Sequence, residues 1–159
     1  MTAPGARGYI DAVLKLNKKT EYALLALRFM SRETALSSAK SIAAWYAIPE
    51  MLLAKVLQAL KHADIIAGTK GSGGGYALSR PLAEIPLLSV LDLFNEHVQL
   101  VDCLGDDHDG CQQQAHCDIR SPLSVLNDAI LEPLRRMTVQ DLFRDEHASA
   151  RPRALSIYR

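Results

Sequence analysis

The chain has 159 residues, 48% of them apolar, with 18 basic and 18 acidic side chains and three cysteines. That is enough for one packed domain with an appended element, and too little for two independent cores. No stretch approaches the roughly 18 uninterrupted apolar residues of a membrane span, and MTAPGARGYIDAVLKL lacks the apolar run of a signal peptide, so a cytoplasmic protein without a membrane partner is expected.

The zero net charge conceals a split: residues 14–80 carry +6 and residues 81–159 carry −6. A basic front half beside an acidic rear half suggests an anion-binding module joined to something else, with chance asymmetry of a solvated surface as the plain alternative.

Residues 1–13 are rich in Gly, Ala and Pro and read as a mobile extension. A helix is predicted over 20–31, where Tyr22, Leu25, Ala26 and Phe29 recur at helical spacing behind Thr20 as a cap. Ser37 or Ser38 then precedes KSIAAWYA, a short helix with Ile42 and Trp45 on one face, broken at Ile48-Pro49. PEMLLAKVLQALKHA follows at once, its Leu53, Val56, Leu57 and Leu60 forming one core-facing stripe.

Two short helices joined by a tight turn make a helix-turn-helix pattern, and the helix before them completes a trihelical unit. DIIAGTKGSGGGYALSR then reads as strand, glycine turn and alternating strand, a β-hairpin wing with Lys70 and Arg80 near its ends. Glycine runs also cradle nucleotide phosphates, but this one lacks both the P-loop and the dinucleotide frames and lies between two strands.

LLSVLDLFNEHV is a further helix with Leu87, Val90, Leu91 and Phe94 inward. Ser121-Pro122 starts the last long helix as cap and first-turn proline. Its Leu123, Leu126, Ile130, Leu134 and Met137 form a seam, which either pairs with a second copy of the chain through helix 122–137 or packs back on its own domain. Pro133 is expected to kink or end that helix. Thr138 caps a final turn, and from Asp145 the chain turns polar and frayed.

Between these two helices lies CLGDDHDGCQQQAHC, which holds every cysteine in the chain, at the spacing C-x7-C-x5-C. In a reducing compartment such clustering indicates a metal or redox group rather than a disulfide framework. Zinc sites favour C-x2-C knuckles, because two ligands on a tight turn preform half a tetrahedron. Cysteines spread along a loop suit a larger object, and an iron–sulfur cluster is one. Cys103, Cys111 and Cys117 then leave one ligand to find, with His108, His116 and the loop aspartates as local candidates.

The run KLNKKTEYALLAL, then IAAWYAIPEMLLAKVLQALKHADII, KGSGGGYALS and the three cysteines resembles the Rrf-type winged-helix regulators, the family of IscR, NsrR and RirA. The likeness covers residues 15–143. It implies a homodimer, a double-stranded DNA operator bound by recognition helix and wing, and an iron–sulfur cluster on the three cysteines, 4Fe–4S in preference to 2Fe–2S. IscR-like members take a fourth ligand from a histidine three residues after the last cysteine, where this chain has Arg120. NsrR-like members use a carboxylate in the first helix, from the other subunit, and Glu21 occupies that place. Glu21 also suits the first turn of a helix simply as an acid.

Glu50, Met51 and Lys55 are expected to meet base edges, Thr69, Lys70, Ser72 and Gly73 the adjacent minor groove, and Lys18 and Lys19 phosphate. Glu50 equally complements a helix N-terminus. Ala54 stands where IscR-like proteins carry an acid that discriminates between DNA sites.

The expected fold is mainly α with a small β-wing: a winged helix-turn-helix domain over 14–80, then a linker helix, cysteine loop (103–117) and dimerisation helix over 81–143, with a tail from 144. The expected function is a transcription regulator, acting as a repressor, that senses iron, redox state or nitric oxide through its cluster. The alternatives are a zinc-binding or cluster-free regulator of the same fold, or a redox or cluster carrier. No nucleophile–base pair suggests an enzyme.

Overall fold

Residues 16–71, 73–94, 102–104 and 111–144 are described in the computed structural model; the sequence expectations for the two ends of the chain and for part of the cysteine loop lie outside them. Helix α1 spans Lys18–Met30 and is capped by Asn17, whose Oδ1 accepts the Thr20 amide at 3.0 Å. This corrects the expected start at Thr20. That residue is fully buried inside the first turn, and the cap falls to the side chain three positions earlier.

Helix α2 (Ala39–Tyr46) begins at Ser38, whose Oγ accepts the Ser41 amide at 3.0 Å. It ends at Ala47, held at φ 51 in the left-handed region, where the chain turns sharply into α3 (Glu50–His62). Pro49 sits just outside α3, so its missing N–H costs the helix no bond. Trp45 does not share the buried face of Ile42 as expected: Ile42 is fully buried while Trp45 is 71% exposed. Eight residues present only a narrow apolar stripe, and here Ile42 and Ala43 fill it. The Trp45 ring meets Phe29 edge-on, with centroids 6.1 Å apart.

Strands β1 (Ile66–Thr69) and β2 (Gly75–Leu78) form the expected antiparallel hairpin, in register from Ile66 opposite Leu78 to Thr69 opposite Gly75. A third short segment joins it. Ser37 and Tyr76 exchange backbone hydrogen bonds of 2.9 and 2.8 Å, tying the entrance of α2 to the wing. Gly75 permits this approach, since a Cβ there would lie 2.9 Å from the Ser37 carbonyl oxygen.

After a 3-10 turn at Leu82–Glu84, helix α4 (Leu87–Leu93) buries Leu87, Val90 and Leu91, followed by Phe94, as the sequence predicts. Helix α5 (Arg120–Arg136) starts earlier than Ser121-Pro122 signals: Ile119 is the capping residue and donates no side chain. A proline in the first turn needs no N–H partner, so the pair rides inside α5. The helix continues three residues past Pro133 and then stops, with one backbone rung removed at the proline.

The chain then turns back. Leu87 donates its amide to the Met137 carbonyl and Val139 donates to Ile85, both at 2.9 Å. Thr138 caps the closing 3-10 turn (Val139–Phe143) through a reciprocal capping box with Asp141. Val139 is fully buried beside Ala23, Leu27, Leu53, Val56, Leu57, Leu60 and Val90, so one core joins the front helices to the rear elements. Each large side chain buried there contributes about 1.5–3 kcal/mol.

Candidate nucleic-acid interface and cysteine segment

Because Leu53, Val56, Leu57 and Leu60 face the core, the opposite side of α3 is open to solvent. Met51 and Lys55 lie there, Met51 being 78% exposed, while Glu50 is exposed in the first turn on the line of Leu53 and Leu57. The same outward face continues through Gln58 and His62 at helical spacing, with Lys61 exposed beside them. Sequence reading missed these last three, although Gln58 and His62 continue the 4-3-4 spacing of Met51 and Lys55.

Thr69, Lys70 and Gly73 are exposed at the tip of the wing, while Ser72 lies outside the described residues. Wing and helix enclose a cleft of about 540 Å³ whose lining includes Ser38, Gln58, Lys61, His62, Lys70 and Tyr76 and, among the described residues, no acid. The Lys61 stem supports the hairpin from below, its Cδ standing 3.5 Å from where a Gly68 Cβ would be. The cleft thus offers ammonium, imidazole, amide and hydroxyl groups along one concave path. Those groups suit a phosphate backbone passing between two grooves.

Lys18 and Lys19 are exposed at the start of α1. Lys18 forms an ion pair with Glu21, and that hydrogen bond, with the carboxylate's charge, holds the ammonium above the ordinary lysine pKa. Its charge is shared locally, whereas Lys19 has no ion-pair partner among the described residues.

Cys103 stands in a 3-10 turn (Asp102–Leu104) that packs on α5, and Cys117 follows another (Gln114–His116). All three thiols are free and half-buried, and the Cys111 thiol donates to Gln113 Oε1 at 3.6 Å. Among the described residues no three Cys, His, Asp or Glu side chains are gathered closely enough to hold a metal ion. The structure therefore brings neither the three cysteines nor Glu21 together into one site. His116 is exposed, and His108 lies outside the described residues. In kind the donors fit an iron–sulfur group: three soft thiols in no disulfide, within reach of solvent.

The elements on either side of the cysteine segment meet the reading head at α1. Asn17 Nδ2 donates to the Phe94 carbonyl at 3.0 Å, and the Arg28 guanidinium lies 4.8 Å over the Phe143 ring. Of the expected seam, Leu126 is 50% exposed, whereas Leu123, Ile130, Leu134 and Met137 are half-buried; Val125 on α5 and its cap Ile119 are 69% and 62% exposed. No helix among the described residues is long and apolar enough to cross a membrane.

Comparison with known proteins agrees with this architecture. A family model described as Rrf2, iron-dependent transcriptional regulator, matches residues 16–145. The regulator NsrR of Geobacillus kaustophilus is 31% identical over 134 residues, covering 83% of this chain and 91% of its own. Protein aau3 of Rhizobium meliloti is 29% identical over 130 residues, covering 81% and 84%. Among solved structures, CymR, the global cysteine regulator of B. subtilis, superposes with a TM-score of 0.62 at 23% identity, over 81% of this chain and 95% of its own. T. potens IscR gives 0.60 at 23% identity, over 86% and 91%.

Proposed function

The chain belongs to the Rrf2 family of DNA-binding transcription regulators, and we propose that its operator affinity is set by an iron–sulfur cluster held by Cys103, Cys111 and Cys117 with Glu21 as the fourth ligand. It is a regulator and not an enzyme. The observation that carries the DNA reading is the outward face of α3 beside the cleft under the wing with its lysines and histidine. Met51 and Lys55 meet base edges, Lys61, His62 and Lys70 meet phosphate, and the wing tip enters the neighbouring minor groove.

Support for the cluster is the donor set: three free, half-buried thiols in one segment between α4 and α5, in a family described as iron-dependent. A bound cluster would supply a tie, sensitive to iron, oxidant or nitric oxide, between that segment and the rest of the chain. Glu21 stands in the first turn of α1 beside Lys18, so ligation requires it to leave that ion pair, and oxygen ligation makes the weakest arm of the set. The open apolar side of α5 (Ile119, Val125, Leu126) pairs two copies, which places two reading heads on two half-sites.

One observation favours a second reading: the three thiols are not gathered, as in a cluster-free regulator of the same family. Anaerobic purification, followed by iron and acid-labile sulfide analysis and by selection of duplexes from a random pool at fixed salt, separates the two. Iron and sulfide lost together in a Cys117→Ser variant support the cluster. Protein that is colourless, free of iron and sulfide, and still selective for a duplex overturns it.

A further inference from the structure

Asn17 uses both ends of its amide. Its Oδ1 accepts the Thr20 amide at 3.0 Å and so starts α1, while its Nδ2 donates to the carbonyl of Phe94 at 3.0 Å, seventy-seven positions away. Phe94 closes α4; α4 packs on α5, and the 3-10 turn that holds Cys103 packs on α5 as well. One side chain therefore joins the first turn of α1, where Glu21 stands, to the end of the helix that shares α5 with the Cys103 turn.

What α1 touches gives this bond its consequence. The buried face of α1, Ala23, Ala26 and Leu27, packs in the same core as Leu53, Val56, Leu57 and Leu60 of α3. A shift or rotation of α1 has no slack there, because fully buried neighbours must move with it. At its other end α1 is held through Arg28 over Phe143, in the turn whose Val139 pairs with Ile85 ahead of α4. So α1 is clamped at both ends by the rear half of the chain, and its side rests on the helix that reads DNA.

We propose that Asn17 is a positioning residue that couples the cysteine segment to the recognition helix: its hydrogen bond to Phe94 fixes the α4 exit relative to α1, and α1 carries that position to α3. The inference rests on the DNA-regulator reading and deepens it. It needs no bound cluster, because coupling between two sites is reciprocal. If the state of the cysteine segment alters DNA affinity through Asn17, then DNA must alter the cysteine segment through the same bond.

The test uses cluster-free, reduced full-length protein and the duplex it selects from a random pool. Alkylation rates of Cys103, Cys111 and Cys117 are measured by mass spectrometry with and without saturating duplex. Wild type should show a change of about fivefold at one or more of the thiols, the lower end of ordinary allosteric coupling. Asn17→Asp keeps the cap oxygen and loses the donor; Asn17→Ser keeps a cap oxygen without adding charge. In both, the DNA-induced change should fall below about 1.5-fold, while the lost hydrogen bond lowers stability by no more than about 1 kcal/mol and the duplex affinity of the cluster-free protein is retained. A merely structural role would lower stability to the same extent and leave the ratio alone. Wild type that binds its duplex without altering any thiol overturns the coupling and spares the regulator reading, as does an unchanged ratio in Asn17→Ser. Wild type that selects no duplex overturns the regulator reading, and the coupling with it.

Discussion

Replacing Gly75 with alanine should loosen the wing from the helix-turn-helix by an amount the geometry specifies. The added Cβ would lie 2.9 Å from the Ser37 carbonyl oxygen and 3.0 Å from Leu36 Cβ, so it meets backbone that cannot rotate away. The strand pair must open there, breaking the two hydrogen bonds of 2.9 and 2.8 Å between Ser37 and Tyr76. At about 1 kcal/mol net each, their loss costs about 2 kcal/mol. Any glycine-to-alanine change also stiffens the unfolded chain, which offsets about 0.4–1 kcal/mol of that. Gly73→Ala isolates the offset, because a Cβ at Gly73 meets nothing within 4 Å and its backbone is outside the left-handed region. In urea unfolding the two variants should therefore differ by about 2 kcal/mol, with Gly75→Ala the less stable and Gly73→Ala at or slightly above wild type. Operator affinity of Gly75→Ala should also fall, since the wing is no longer tied to α2. A difference between the variants below about 0.5 kcal/mol would refute the bridging role given to Gly75.

Lys61→Gln should weaken binding nearly equally across duplex sequences and reduce the salt slope by about one, as loss of one phosphate contact does; an unchanged slope removes Lys61 from the interface. Leu126→Glu should convert a dimer to monomers in sedimentation while leaving the chain folded, with an unchanged far-ultraviolet circular dichroism spectrum, because Leu126 is already half exposed. A variant that still dimerises would move the interface away from α5.

Much of the fold was legible because its signals are local and redundant. The stripe Leu53, Val56, Leu57, Leu60 could face only one way, and a glycine run between two apolar segments leaves little besides a hairpin. Caps were less legible, since several residues near a helix start can serve. Asn17 took the role expected of Thr20, and Ile119 preceded α5 in place of Ser121. Trp45 escaped prediction because eight helical residues give too little periodicity to separate a buried position from its margin. The Asn17–Phe94 bond and the return of Val139 into the core link residues far apart in the chain, and nothing in local sequence announces such contacts. The cysteine spacing indicated a soft-metal group, yet spacing alone does not gather ligands, and the described thiols stand apart.

The account stands most directly on one comparison: the affinity of anaerobically purified protein for its selected duplex, measured at one salt concentration with the cluster intact and after its removal by chelation, alongside iron and sulfide per chain. The account predicts iron and sulfide in the first sample, neither in the second, and affinities that differ by about fivefold or more. Equal affinities in the two samples would contradict it.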